Sequence, residues 1–465
     1  MKENLQMNKN NILIPAQEVP ILREAEVVVA GGGIAGLAAA IASARCGAKT
    51  LLIERYGCLG GTVSGVPMKW VGGYNATIHG GIMAELIDKL RQADGIIREF
   101  YNENVSGYMV GMYIDIFKAV ALKMLEDAGA ELLLHTLITD VVSEGREITG
   151  LVVENKSGRQ VILGKRFIDA TGDGDVAARA GAAYWKGDEE SGKMQAMTHY
   201  GPVLEGVDNE VLLDYMLKYK DKYPEEIVEW STDLPRFSFA GFSRLLKDSR
   251  EKGIIHMNYD CIWISGEIGT NRVTIDGSFI PFVDGTNVLD LTYAETESIK
   301  QITSFVSFIR QNFPGFENSH RKDRGGFSIG VRETRRVMGE YLLTEEDILQ
   351  GKKFLDGIGC NCTPMDIHSS RGHQSWTQVK TYDIPYRCLI SATIDNLFMA
   401  GRCISATHKA LASIRFIPCC VITGQAAGTA AALTAKRNVS LKKLDTNKLL
   451  TELKKQGAIL KASNV

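Results

Sequence analysis

The chain has 465 residues, with 53 Lys+Arg against 55 Asp+Glu, a formal net charge of −2 and a pI near 6.5. That balance leaves no electrostatic footprint for nucleic acid, and nine cysteines, sparse and odd in number, make a poor disulfide framework. Glycine is in surplus, 47 of 465 residues, which is well above the usual share of about 7%.

Residues 1–20 read as a polar lead-in, and the first 17 hold no apolar h-region, so no signal peptide is expected. A short apolar, β-branched run over 26–30 predicts a buried parallel strand. Gly31-Gly-Gly-Ile-Ala-Gly36 follows at once, then an Ala-rich helix over 37–45 and a second strand over 49–53 that runs into Glu54. Gly31, Gly33 and Gly36 between strand and helix, with an acid 18 residues further on, form the full dinucleotide fingerprint. Gly31 permits the tight turn, Gly33 lets the backbone approach a pyrophosphate, and Gly36 lets helix pack on strand. Ile34 and Ala35 open the helix whose N-terminus offers N–H groups and a positive dipole end to the phosphates. Glu54 is placed to accept from a ribose hydroxyl.

Residues 115–128 predict an amphipathic helix with Ile116, Val120 and Met124 on one face. Residues 132–174 alternate as strands, with turns at Glu144-Gly145 and Ser157-Gly158. After Gly181 the pattern dissolves into a long middle section, 184–385, rich in aromatic and polar residues. Within it Thr292-x-x-Glu295 reads as a capping box at a helix start, and Thr344 before Glu345-Glu346-Asp347 starts a shorter helix ending near Gly351. A strand over 397–400 and an Ala/Gly-rich helix to about Arg437 close the pattern. The apolar stretch 421–435, broken by Gly424, Gln425 and Gly428, reads as too short to span a bilayer. The expectation is a cytoplasmic chain with no membrane and no nucleic-acid partner.

Two segments carry a resemblance. Arg55-Tyr-Gly-Cys-Leu-Gly-Gly-Thr62 directly after the acid, and Phe167-Ile-Asp-Ala-Thr-Gly172, resemble the glutathione-reductase-like FAD flavoproteins. The resemblance implies that Arg55, Gly60, Gly61 and Thr62 border the pyrophosphate and that Ala170, Thr171 and Gly172 close the flavin domain. It also places Val141 in the cofactor set. The redox cysteine that follows Leu-Gly-Gly-Thr in disulfide reductases is missing here, where Val63-Ser64-Gly65-Val66-Pro67 stands. That departure argues against disulfide reduction. Asp173-Gly174-Asp175 lacks a following acid-terminated strand, so no built-in NAD(P) domain is expected.

Asp395-Asn-Leu-Phe-Met-Ala-Gly-Arg402, Cys-Ile-Ser-Ala-Thr-His408, Ser413-Ile-Arg415 and Thr423-Gly-Gln-Ala-Ala-Gly428, with the segments 329–336, 364–368 and 384–389, resemble one family. It is the broad bacterial FAD-dependent oxidoreductase family, distantly related to the fumarate reductase and heterodisulfide reductase flavoproteins. The resemblance implies an α/β fold: a Rossmann-like FAD-binding domain of glutathione-reductase type with an inserted α+β substrate domain. The expected division is 1–183 and 386–465 for the FAD-binding domain and 184–385 for the substrate domain. Gly401 and Arg402 would meet the ribityl-pyrophosphate arm, and a helix starting near 418–423, with Thr423 and Gly424, would aim its N-terminus at the flavin pyrimidine edge.

Four residues are weighed for catalysis. His408 follows the flavin loop and is either a proton carrier or a structural histidine. Arg332 belongs to a basic cluster with Arg335 and Arg336 on a predicted strand, where alternation splits the three between two faces or ion pairing with Glu333 and Glu340 absorbs them. His368 lies two residues from Asp366, as a base with its orienting carboxylate or as a structural pair. Arg415 would hold an anionic substrate or the flavin. Cys360-x-Cys362 alone is weak metal evidence, and no metal is expected. His79 and His408 are the candidates for covalent flavin attachment. Three functions fit: hydride transfer between a small polar organic substrate and flavin N5, reduction of an activated C=C bond, or electron transfer with a protein donor or acceptor.

Overall fold

The computed structural model describes residues 16–462 except 67, 200, 257–260, 276–277, 323–325, 327 and 370–373. Most of the polar lead-in therefore lies outside the described residues.

Val27, Val28 and Val29 are buried on both faces of the strand Ile21–Ala30, as a central parallel strand demands. The large sheet runs in the order Glu131–Leu133, Thr50–Ile53, Ile21–Ala30, Gly158–Asp169, Glu147–Asn155, Leu137–Glu144. Gly158–Asp169 is long enough to serve two neighbours along one edge. Its first half pairs antiparallel with Glu147–Asn155, and its last residues pair parallel with Leu397–Met399. The chain thus leaves this sheet after Asp169 and returns to it at Leu397. The parallel strands end together, so the loops 31–33, 54–62, 170–174 and 400–403 gather at one carboxyl edge, where open α/β sheets bind ligands.

The helices Ile34–Arg45 and Ile417–Arg437 pack at backbone contact. A Cβ on Gly424 would stand 2.1 Å from the Ala35 carbonyl oxygen, and one on Gly428 would stand 2.0 Å from that of Ala39. At 21 residues, Ile417–Arg437 is long and apolar enough to cross a membrane by length and composition, which corrects the shorter sequence estimate. Its apolar window is 89% buried inside the protein.

The middle section is regular after all. Residues between 203 and 322 form an antiparallel sheet in the order Ile227–Ser231, Arg236–Gly241, Ile262–Glu267, Arg272–Ile275, Val203–Glu205, His320–Lys322. Phe237, Phe239, Ile262, Ile264, Val273 and Ile275 alternate onto one face and form a core with Ile302, Phe305, Phe308 and Ile309 of the helix Val288–Asn312. That helix starts before the predicted capping box. Asn287 caps it by accepting from the Leu289 N–H, while Thr292 donates back to the Val288 carbonyl and Glu295 accepts from the Ile329 N–H. The shorter helix Glu345–Gln350 starts on the Thr344 cap and ends at Gly351 as the sequence predicts, with Asp347 closing a capping box and Gly351 left-handed. A three-stranded sheet, Trp70–Tyr74, Gly107–Met112 and Ile96–Asn102, and a hairpin of Met365–His368 with Gln374–Thr377 complete the surroundings of the site.

Candidate active site

A cavity of about 1080 Å³ opens at the carboxyl edge of the large sheet and continues toward the second sheet. Gly31, Gly33, Ile34, Ala35, Glu54, Arg55, Gly60, Gly61, Thr62, Ala170, Thr171, Gly172, Gly401 and Arg402 all line it.

The glycine loop is built by close approach. Gly31 has φ +98°, and a Cβ there would meet the Ala170 carbonyl oxygen at 2.6 Å. A Cβ on Gly36 would fall 1.8 Å from the Gly31 oxygen, so Gly36 brings helix against strand and does not face the cavity. Gly33 caps the helix without any side-chain acceptor, leaving first-turn N–H groups for a ligand. Glu54 accepts from the Gly32 N–H at 2.6 Å and the Tyr56 N–H at 2.8 Å, and its burial raises the carboxyl above its usual range against those two bonds. Gly60 donates to the Gly32 carbonyl at 2.8 Å, which brings the Leu-Gly-Gly-Thr segment beside the glycine loop.

Asp169, which sequence reasoning passed over, organises the Ala-Thr-Gly element. Its carboxylate accepts from the Thr171 N–H (3.1 Å), the Thr171 hydroxyl (2.7 Å) and the Ala177 N–H (2.9 Å), while burial pushes it up to about 6. Arg402 reaches the cavity with its fork held by Asp173 at 2.7 Å and the Thr334 hydroxyl at 3.0 Å. The helix Ile417–Arg437 begins at the cavity wall, where Phe416, Ile417 and Cys420 line it. This cradle fits an extended dinucleotide: free helix N–H groups, an acid at the second strand end, and a cation at the return loop.

Besides Gly36, three expected cofactor residues stand elsewhere. Val141 lies in Leu137–Glu144 opposite Leu151 and packs on the main core, whereas Thr136, Leu137 and Ile138 from the start of that segment line the cavity. Thr423 does not line it but accepts from the Gly401 N–H at 3.0 Å, and Gly424 serves the helix contact described above.

Three of the four catalytic candidates come together. Asp366 and His368, on one face of Met365–His368, meet at 3.0 Å between Oδ2 and Nε2. Arg415 donates to the Asp366 carbonyl at 2.7 Å and to Oδ2 at 2.8 Å. Arg332 lines the same cavity and donates to the Ala196 carbonyl at 2.7 Å. It precedes the strand Arg335–Val337, so the predicted alternation does not apply to it. Burial would raise the Asp366 carboxyl, yet His368, Arg415 and Arg332 hold it well below the usual carboxylate range. Burial, then Arg332 and Arg415, lowers His368 to about 4. An ionised Asp366 only accepts, so Nε2 carries the His368 proton and Nδ1 is the lone-pair nitrogen.

His408 is the correction. It stands outside the cavity, opening the helix His408–Ile414, with Nδ1 2.7 Å from Glu333 Oε2 and its N–H donating to Glu189. Glu333 also pairs with the fully buried Arg336, which reaches Glu189 at 3.0 Å. Arg335 binds Asp175 at 2.9 Å, and Glu340 pairs with Lys442 instead of the arginines. His79 is fully buried, outside the cavity, and lowered by burial to about 3. Neither histidine lines the cavity.

A thiamine thiazole synthase of Methanococcus aeolicus is 30% identical over 166 residues, and one of Aeropyrum pernix is 28% identical over 170. Each match covers 33% of this chain and 57% of the relative, so the chain spans little more than half the length of these curated relatives. Among solved structures, a geranylgeranyl bacteriochlorophyll reductase-like protein from Thermoplasma acidophilum aligns over 93% of this chain and 83% of its own, at 13% identity and TM-score 0.44. A p-nitrophenol 4-monooxygenase from Pseudomonas putida aligns over 93% and 84%, at 11% identity and TM-score 0.47. The chain belongs to the FAD dependent oxidoreductase family, whose description matches residues 26–453.

Proposed function

We propose that this FAD-dependent oxidoreductase oxidises a CH–OH group of a small polar organic substrate. The O–H proton passes to His368 and a carbonyl remains, while FAD held by the glycine loop, Glu54 and Arg402 would supply the acceptor for the C–H hydride. The observation that carries this is the Asp366–His368 pair, lining the same cavity as the glycine cradle with Nδ1 as its lone-pair nitrogen. Everything besides that acceptor falls to the chain's own groups. His368, kept neutral by burial and two arginines, takes a proton without first having to lose one. Asp366 fixes the ring tautomer and orientation. Arg332 and Arg415 against Asp366 leave one net positive charge, which favours the alkoxide character that develops as the hydroxyl proton leaves.

Reduction of an activated C=C bond would ask the two arginines to clamp a carboxylate. Arg415 is already committed to Asp366 through two contacts, which weighs against that alternative. The same reading takes the sheet over residues 203–322 as part of an inserted substrate domain on a glutathione-reductase-type FAD domain.

The test is anaerobic titration of the purified yellow protein with alcohols, sugars, amines and enoates. Bleaching of the flavin by an alcohol or sugar, lost in His368→Ala with FAD still bound, is expected. Reoxidation of reduced flavin by an enoate, or response only to a protein donor, would overturn the reading.

A further inference from the structure

Four of the five tryptophans, Trp70, Trp230, Trp263 and Trp376, line this one cavity. Trp376 stands opposite Asp366 in the hairpin register, beside the reactive pair. Trp70 and Trp263 lie in the arm that runs away from it, between the three-stranded sheet and the second sheet, whereas Trp230 reaches the cavity from the edge strand, opposite Phe239 and 4.2 Å from Lys220 Nζ.

The two walls of that arm differ in chemistry. On the three-stranded sheet, Trp70 covers Gly111, where a Cβ would meet its ring at 2.7 Å, and meets Phe100 edge-on at 5.7 Å. That wall is aromatic. On the second sheet, strand alternation that buries Phe237, Phe239 and Ile264 turns Arg236, Ser238, Trp263 and Ser265 the other way. Ser238 and Ser265 share a 2.9 Å hydroxyl contact, and Arg236 pairs with Glu267 at 3.0 Å. The walls meet through Arg98–Asp233 at 3.7 Å and through Lys69 to the Thr274 hydroxyl at 3.4 Å.

An aromatic carboxylate would need surplus cation in the arm, and a lipid would need apolar walls throughout. Here the arm's cations, Arg98, Arg236 and Lys69, stand against Asp233, Glu267 and Glu103, so it offers donors and acceptors together with little net charge. Flat aromatic faces opposite hydroxyls and balanced ion pairs suit a ring with an apolar C–H face and a hydroxyl-bearing rim. We infer that the arm binds a neutral oligosaccharide or glycoside, stacking its outer sugar rings on Trp70 and Trp263 and presenting one ring to His368. This rests on the proposed CH–OH oxidation for the reacting end, while the arm itself is argued from its walls.

The test uses holoenzyme and isothermal titration calorimetry with millimolar cellotriose, maltotriose, xylotriose, mannotriose and chitotriose, with 4-hydroxybenzoate as the aromatic anion. One trisaccharide should bind more tightly than its monosaccharide. Trp263→Leu should weaken it about tenfold, the milder Ser238→Ala/Ser265→Ala pair should weaken it a few-fold, and Trp185→Leu, outside the cavity, should leave it unchanged. No binding across the trisaccharides, binding of 4-hydroxybenzoate instead, or binding indifferent to both cavity variants would overturn the inference. A trisaccharide that binds in this pattern without bleaching the flavin would uphold the arm and overturn the proposed oxidation instead.

Discussion

Asp366 and His368 stand two residues apart on one strand, and the carboxylate Oδ2 of the first meets Nε2 of the second at 3.0 Å. The carboxylate fixes which nitrogen carries the proton and which is free to accept one. Asp366→Asn keeps the shape but lets the amide donate, which favours the wrong tautomer. Substrate-dependent flavin reduction should fall by about 10²- to 10⁴-fold, the range for a positioned general base, with the flavin content unchanged. Stopped-flow bleaching at saturating substrate checks this, and a variant with near-normal rates would remove His368 from the proton path.

The pH dependence has a definite sign. A base lowered to about 4 is neutral throughout the range above that value, so the reductive rate should rise through about pH 4 and then stay level to pH 8. Arg415 disfavours protonation of His368 and also holds the Asp366 carboxyl down. Arg415→Met removes a cation beside both, so both groups should bind protons more readily and the acid limb should move to higher pH. An acid limb that stays in place, measured as flavin bleaching against pH, would show that Arg415 does not act through this pair.

His408 and Glu333 call for the opposite pattern. Arg336 is fully buried, and Glu333 shares its charge while contacting His408. Glu333→Gln leaves a buried guanidinium short of an anion, a loss of about 3–5 kcal/mol by analogy with other broken buried pairs. His408→Ala should lower the melting temperature as well. In the protein that remains folded, neither change should alter the pH profile of flavin reduction. A shifted profile in His408→Ala would restore it as a proton carrier.

How much of this was legible depended on how far apart in the chain the partners lie. The glycine loop, Glu54 and the Leu-Gly-Gly-Thr segment fall within 32 consecutive residues, and local turn and helix-end chemistry dictates their geometry. Asp366 and His368 were readable as a pair because strand alternation puts i and i+2 on one face. Arg415 on Asp366 and Glu333 on His408 join residues 49 and 75 positions apart, and no periodicity reports such contacts. The second sheet was missed because its strands are four to six residues long in the central run and carry Gly241 and Gly266 among the core-facing positions, which blurs a period-2 signal. Val141 was misplaced because the cavity is reached three residues earlier in the same strand, at Ile138.

The cysteines should be chemically quiet. All nine are free, and six are buried. Burial raises Cys360 and Cys362 to about 11 and Cys420, at the cavity wall, to about 12. A thiol is attacked as its thiolate, so iodoacetamide on the native holoenzyme should label no more than Cys46, Cys58 and Cys261, the three partly exposed ones. Intact mass should show three adducts or fewer, with flavin reduction retained. Loss of turnover with the first adduct would point to a redox thiol.

The packing of the two long helices yields a prediction that separates stability from cofactor retention. Gly424 meets the Ala35 backbone, and Ala35 lines the cavity at the start of the glycine-loop helix. Gly428, four residues on, meets Ala39 in the same way but deeper in the core. Either glycine changed to alanine puts a methyl group about 2 Å from a carbonyl oxygen, and overpacking of this kind costs roughly 1–3 kcal/mol or more. Both variants should therefore melt earlier. Only Gly424→Ala also pushes the helix at the residues that border the cradle, and it strains the neighbouring Thr423 contact that holds the Gly401 N–H. Its ratio of bound FAD to protein should drop, while Gly428→Ala should keep its flavin once folded. Absorbance of the purified proteins before and after dialysis reads that ratio. Equal retention in the two would mean that the helix start does not set the shape of the flavin site.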